Sequence, residues 1–161
     1  VKSNIIKGLI LLTGLTIVVS CSSEKKDGRL ELVEYAWSQV SNGDLASKKA
    51  LLIIPNAGCG GCITSAENFA IEAIESMPDL IIIFTGTSSQ KQLRLKLGNE
   101  VYNHSNVRID SKDYFYEGEL YSVYPLVVYL RNGSPVKIVE QSPFKENTLD
   151  SLQSYLISNK F

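Results

Sequence analysis

The chain has 161 residues, enough for one domain with a real core and too few for two of ordinary size. Sixteen basic and seventeen acidic side chains leave a net charge of −1 with no basic stripe, which argues against nucleic acid as a partner. Three cysteines are too few for a disulfide-stapled scaffold, and one histidine is too few for a histidine-based metal centre.

The first twenty residues differ from the rest. Lys2 and Lys7 give a positive start, Gly8 to Ser20 is apolar or small, and Cys21 then opens the polar run Ser22 to Gly28. A charged start, a short apolar stretch and small residues before a cut are the parts of a secretory signal. The uncharged stretch is short for a membrane-spanning helix, which needs about 20 apolar residues, although counting back to Ile5 lengthens it toward an uncleaved anchor. The ending Val18-Val19-Ser20-Cys21 resembles a relaxed bacterial lipobox. That resemblance implies a signal peptide over residues 1–20, a lipidated Cys21 and a tether over 21–28. The alternative is an ordinary signal or anchor that happens to hold a cysteine. Residues 29–161 are then the folded domain, held to a membrane in the cell envelope and facing the periplasm. Outside the cytoplasm an exposed cysteine pair is either an exchange catalyst or a plain disulfide.

Leu30, Val33, Trp37 and Val40 recur at helical spacing, so Arg29 to Val40 reads as a helix with one buried face. Ser41-Asn42-Gly43-Asp44 is a turn signal. Ala50 to Ile54 is an apolar run of strand length, and Pro55 to Gly58 reads as the loop after it. Ile63, Ala66, Ala70, Ala73, Ile74 and Met77 share a helix face that ends at Pro78, with Glu67, Asn68, Glu72 and Glu75 toward solvent. Leu80 to Phe84 is a second buried strand. Gln90 to Leu97 is two-sided. Leu93, Leu95 and Leu97 alternate as in a strand, yet the composition favours helix; the surrounding strands tip it to helix, ended by Gly98-Asn99. Val107 to Asp110 is a short strand. Ser111 to Val123 is a loop with Tyr114, Phe115, Tyr116 and Tyr121. Leu126 to Leu130 and Pro135 to Glu140 flank Asn132-Gly133, a hairpin signal. Asn147 to Asp150 starts a last helix whose buried side is Leu149, Leu152, Tyr155 and Leu156. This order implies an α/β fold with one central mixed sheet flanked by helices.

Cys59-Gly60-Gly61-Cys62 lies between the first strand and the helix after it. A helix N-terminus favours thiolate over thiol, and thiolate is the reacting species in disulfide exchange. The spacing turns Cys62 partly inward and leaves Cys59 outward at the helix tip. The strand–CGGC–helix stretch, Tyr124-Pro125 before Leu126–Leu130, and the Asn132-Gly133 hairpin followed by a helix together resemble the thioredoxin-like fold of extracytoplasmic lipoproteins, over residues 50–158. On its residues alone Pro125 is a trans proline opening a strand. The resemblance implies a cis bond that turns the Tyr124 backbone toward the dithiol, making Tyr124 and Pro125 substrate-binding. It also implies Cys59 as attacking thiol, Cys62 as resolving thiol, protein disulfides or dithiols as substrates, an upstream redox partner, and no cofactor or metal. The chain departs from the family at Gly58, where Trp is common, at Gly60-Gly61, and at Ile53, where thioredoxin has a buried Asp. No general base stands out, and exchange in either direction fits.

Other readings stay in view. Cys59–Cys62 as a structural disulfide closes so short a loop that little unfolded-state entropy is removed. A zinc site lacks ligands, since Cys59, Cys62 and His104 fall short of about four. A copper chaperone wants a longer cysteine spacing, and a peroxidase of the peroxiredoxin kind wants a Thr before its cysteine. A non-catalytic domain of this fold, binding a partner through the aromatic loop, is the alternative from a different class.

Overall fold

The computed structural model describes residues 27–158 except 42, 44 and 146. The signal peptide, Cys21 and most of the tether therefore lie outside the described residues. The elements run α1 (Gly28–Val40), β1 (Ala50–Pro55), α2 (Gly60–Ala73), β2 (Leu80–Thr85), α3 (Gln90–Tyr102), β3 (Val107–Ile109), a 3-10 turn (Gly118–Leu120), β4 (Leu126–Arg131), β5 (Ser134–Glu140) and α4 (Thr148–Ser158). The five strands form one sheet in the order β3-β2-β1-β4-β5. β1, β2 and β3 are parallel, while β4 is antiparallel to both β1 and β5. This is the mixed sheet flanked by helices that the sequence implied.

The topology decides which face each helix covers. The chain steps from β1 to β2 to β3 in one direction across the sheet. Right-handed crossovers then place α2 and α3 on the same side. Strand residues alternate between the faces. Leu52, Ile54, Ile82, Phe84 and Val127 pack beneath α2, α3 and α4. Leu51, Ile53, Ile81, Ile83, Leu126 and Val128 face the other way, against α1 and the loop residues Phe115 and Leu120. Every residue of β1 and β2 is buried, as the unbroken apolar runs of covered parallel strands require.

Most boundaries fall where the sequence put them. Asp27 caps α1, its carboxylate accepting the Arg29 N–H at 3.1 Å. Pro55, expected in the loop, is the last residue of β1. Asn132 and Gly133 both take positive φ (52° and 82°), as a type I′ hairpin turn demands. The larger difference is α3. It does not stop at Gly98: a break there (φ 79°, ψ 158°) separates two helical stretches, and the second carries Val101 into the core. Glycine tolerates that conformation, so the chain re-aims and resumes instead of ending. The alternating leucines also resolve as helix, because Leu93 and Leu97 are buried while Leu95 points into solvent.

That contrast is testable by urea denaturation. Leu97, 5% exposed, should cost about 2–5 kcal/mol when replaced by Ala. Leu95, 76% exposed, should stay within about 0.5 kcal/mol under the same change. Equal losses would place the two leucines on one face and contradict the helix.

Candidate functional site

The site is built at the end of the sheet where β1 stops. The Asn56 N–H donates to the Thr85 carbonyl at 3.0 Å, which carries the β1–β2 pairing one residue past Pro55. Residues 56–58 then cross the surface. Gly58 takes φ 140°, and a Cβ on it would overlap the Val123 carbonyl. A side chain at position 58 would have to displace the Val123 backbone. The Cys59 N–H donates to that same Val123 carbonyl at 2.8 Å, so backbone holds backbone directly beside the cysteine.

Cys59 is the N-cap of α2, and its carbonyl accepts the Ile63 N–H at 2.9 Å. Cys59 and Cys62 are joined in a disulfide with their Cα atoms 5.3 Å apart. Cys62 is buried, at 7% exposure, and Cys59 is partly exposed, as the helix spacing predicted. The cap makes no side-chain hydrogen bond, and the first turn holds no acidic residue. Once the disulfide opens, the Cys59 sulfur sits where the first-turn N–H groups favour negative charge, and no carboxylate of that turn competes for them. Gly60 and Gly61 have nothing within 4 Å of where a Cβ would stand, so the face over the dipeptide is open.

Tyr124 and Pro125 lie in the segment that closes on the cysteines, but not as expected. No cis peptide bond occurs among the described residues, so the Tyr124–Pro125 bond is trans. Pro125 is buried just ahead of β4, where its missing N–H costs no ladder bond, and its carbonyl accepts the Gln141 N–H at 2.8 Å. The Tyr124 N–H is taken by the Ser122 Oγ at 3.0 Å. The contact with the CGGC loop is made by Val123 instead.

The aromatic loop divides its roles. Phe115 is buried in the core, with Tyr114 packed beside it. The Tyr116 hydroxyl donates to the Ala57 carbonyl at 3.3 Å, and its ring lies 4.8 Å from that of Tyr121. Burial first, then the Tyr121 hydroxyl and Asp113, hold the Tyr116 phenol above its ordinary range, so it is a neutral donor.

The sequence reading missed two residues. Asp110 was read only as the end of a strand, yet it is fully buried. Its Oδ2 accepts the Thr85 hydroxyl at 2.8 Å and the Phe115 N–H at 2.7 Å. It thereby hangs the aromatic loop from the end of β2, and Asp113 adds a bond to the Gly86 N–H at 3.0 Å. A lone Asp after a short strand gives no signal of this, because Thr85 is 25 residues away and Phe115 sits in an irregular loop. Glu67 was placed toward solvent but is 4% exposed. It is covered because α3 packs on α2 and brings Lys96 to its Oε1 at 2.7 Å. His104 is away from this constellation; its Nδ1 accepts the Asn106 N–H at 3.1 Å. Among the described residues no group of three His, Cys, Asp or Glu side chains could hold a metal ion.

The glycines separate by environment. Gly58→Ala should cost about 1–3 kcal/mol for its backbone conformation, plus the displacement of Val123, and should slow reaction of Cys59 with disulfides. Gly61→Ala should stay within about 1 kcal/mol of the parent in stability. Urea unfolding and thiol-release kinetics on both variants check this, and equal effects would contradict the close approach at Val123.

No protein-family model and no curated protein matches the chain. Similar solved structures include an exposed lipoprotein thioredoxin from Streptococcus pneumoniae strain TIGR4, with a TM-score of 0.48 and 16% identity. The match covers 70% of this chain and 87% of that one. A thioredoxin-like protein from Bacteroides caccae ATCC 43185 is similar with a TM-score of 0.40 and 17% identity. There the match covers 71% of this chain and 42% of the other, so this chain spans less than half of that protein's length.

Proposed function

We propose that the chain is a thiol–disulfide oxidoreductase of the cell envelope, held to a membrane through a lipid on Cys21 and facing the periplasm. The observation that carries the chemistry is the placement of the disulfide. One cysteine is partly exposed at the N-cap position of a helix, and the other is buried one turn inside it. Among the described residues no helix is long and apolar enough to cross a membrane, so the anchoring rests on the Val18–Cys21 motif.

In the reducing direction the Cys59 thiolate attacks a substrate disulfide. A Cys59–substrate bond forms, the substrate S–S bond breaks, and the departing substrate sulfur leaves as thiolate and takes up a proton. The Cys62 thiolate then attacks the Cys59 sulfur. This restores the Cys59–Cys62 disulfide and releases the second substrate sulfur as thiolate. Two electrons pass from the dithiol to the substrate, and an external protein dithiol must return them. The oxidising direction is the reverse. The second step is fast because it is intramolecular, with the Cα atoms of the pair already 5.3 Å apart. Tyr124 and Pro125, in the segment joined to Cys59 through Val123, would lie against the bound substrate chain.

Cys59→Ser should abolish exchange, and Cys62→Ser should accumulate mixed disulfides with substrate proteins, visible on non-reducing gels. Trapping by Cys59→Ser alone would reverse the two roles. A glutathione titration of the whole chain in detergent, with free thiols alkylated, sets the direction. A potential near about −270 mV marks a reductant and one near about −120 mV an oxidant. A pair that never opens under any reductant would leave only a structural disulfide.

Lipidation is read separately. Cys21→Ser should shift the protein from the membrane to the soluble fraction and remove the acyl mass from its N-terminal peptide. An unchanged mass and membrane fraction would refute the anchor.

A further inference from the structure

We propose that Tyr116 and Tyr121 form a docking ledge beside Cys59 for an extended polypeptide that carries an aromatic side chain next to its disulfide-bonded cysteine. This deepens the exchange reading and rests on it. The ledge is fixed in place rather than loosely attached. The Tyr116 hydroxyl is bonded to the Ala57 carbonyl, two residues before Cys59, and its ring packs against Gly86 at positive φ (65°). Tyr121 leans on that ring at 4.8 Å with the planes inclined by 48°. The buried Leu120 anchors Tyr121 from one side. From the other, Val123 ties the segment to the Cys59 N–H.

With that support, the outer ring still faces solvent. Tyr121 is 54% exposed, and Val123 beside it is also exposed. Tyr121 and Val123 therefore leave apolar surface in solvent on the segment whose backbone is bonded to Cys59. The space over Gly60 and Gly61 is open, leaving room for a second chain to lie across the helix tip. Residues 57–62 and 121–124 carry no charged side chain, and Asp113, the acid that acts on Tyr116, is engaged by the Gly86 N–H, so the rim favours an apolar neighbour over a charged one. A tilted ring pair offers an edge and a face to a third ring, the arrangement aromatic groups favour.

On binding, the substrate aromatic side chain rests on Tyr121 and brings its neighbouring sulfur to Cys59. The Cys59 thiolate bonds to that sulfur, the peptide's own S–S bond breaks, and its other sulfur leaves with the electron pair. Cys62 completes the exchange as above. Stacking of this kind contributes roughly a threefold to tenfold preference.

The test uses the full chain in detergent, reduced and desalted. The probes are synthetic hexapeptides whose single cysteine is a mixed disulfide with 2-thiopyridine, with Phe, Gly or Lys next to the cysteine. Release of pyridine-2-thione gives the rate. The Phe peptide should react about threefold to tenfold faster than the Gly peptide, and the Lys peptide no faster than Gly. The Phe-to-Gly ratio should fall close to one in Tyr121→Ala and be retained in Tyr121→Phe. Taking the ratio within one variant cancels any change in thiol reactivity. A wild-type ratio near one, or a ratio that Tyr121→Ala leaves intact, overturns the ledge while leaving exchange standing. Reaction no faster than that of Cys59→Ser with every peptide overturns exchange and the ledge together.

Discussion

The approach of residues 58 and 59 to the carbonyl of Val123 is the contact on which the rest of the site depends. At Gly58 the two backbones come closer than any side chain allows, and the Cys59 N–H bonds to the Val123 carbonyl at 2.8 Å. One backbone group thus sets both the position of the reactive sulfur and the path of the segment that faces it. A buried or half-buried backbone donor must find a partner. Here that need joins two loops 64 residues apart in sequence (123 − 59).

The same linkage explains why the loop after β3 is rich in aromatic and acidic residues without being a disordered insertion. Asp110 holds the Thr85 hydroxyl and the Phe115 N–H on one oxygen. Phe115 fills the core on the face opposite α2, and Tyr116, next in the chain, reaches the Ala57 carbonyl. The other Asp110 oxygen is buried without a partner, so removing either of these two bonds would leave a buried acid still less compensated. The loop is therefore tied at its start by Asp110, in its middle by Tyr116 and at its end by Val123. The last two ties end on the loop that carries Cys59, and the first on the end of β2 paired beside it.

The sheet supplies the platform. β1 is central, bonded on both sides, and buried along its whole length. A loop leaving such a strand has a rigid origin. α2 begins only after the cysteine, and its first turn has no side-chain cap and no acid. The helix end therefore retains its favourable field for a thiolate. The Glu67–Lys96 pair clamps α2 to α3 further along, on the same face. These contacts hold the helix that positions Cys62 without occupying the surface beside Cys59.

Much of this was legible in the sequence. Apolar runs of strand length, helix faces at a period near 3.6, and Asn132-Gly133 are local signals, set by backbone geometry and solvent over a few residues. So the strand order in the chain, the hairpin, the buried Cys62 and the partly exposed Cys59 could be read directly. Tertiary structure decided what local pattern cannot carry. It broke α3 at Gly98 without ending it, because Val101 still had a core to reach. It buried Glu67, because another helix arrived with Lys96. It met the cysteines through the Val123 carbonyl, while the Tyr124–Pro125 bond stayed trans as its own residues read. It made Asp110 a buried clamp, because Thr85 lies beside it only once β2 and β3 are paired. In each case the deciding partner lies on another element, and a sequence read in short windows contains the residue but not its neighbour.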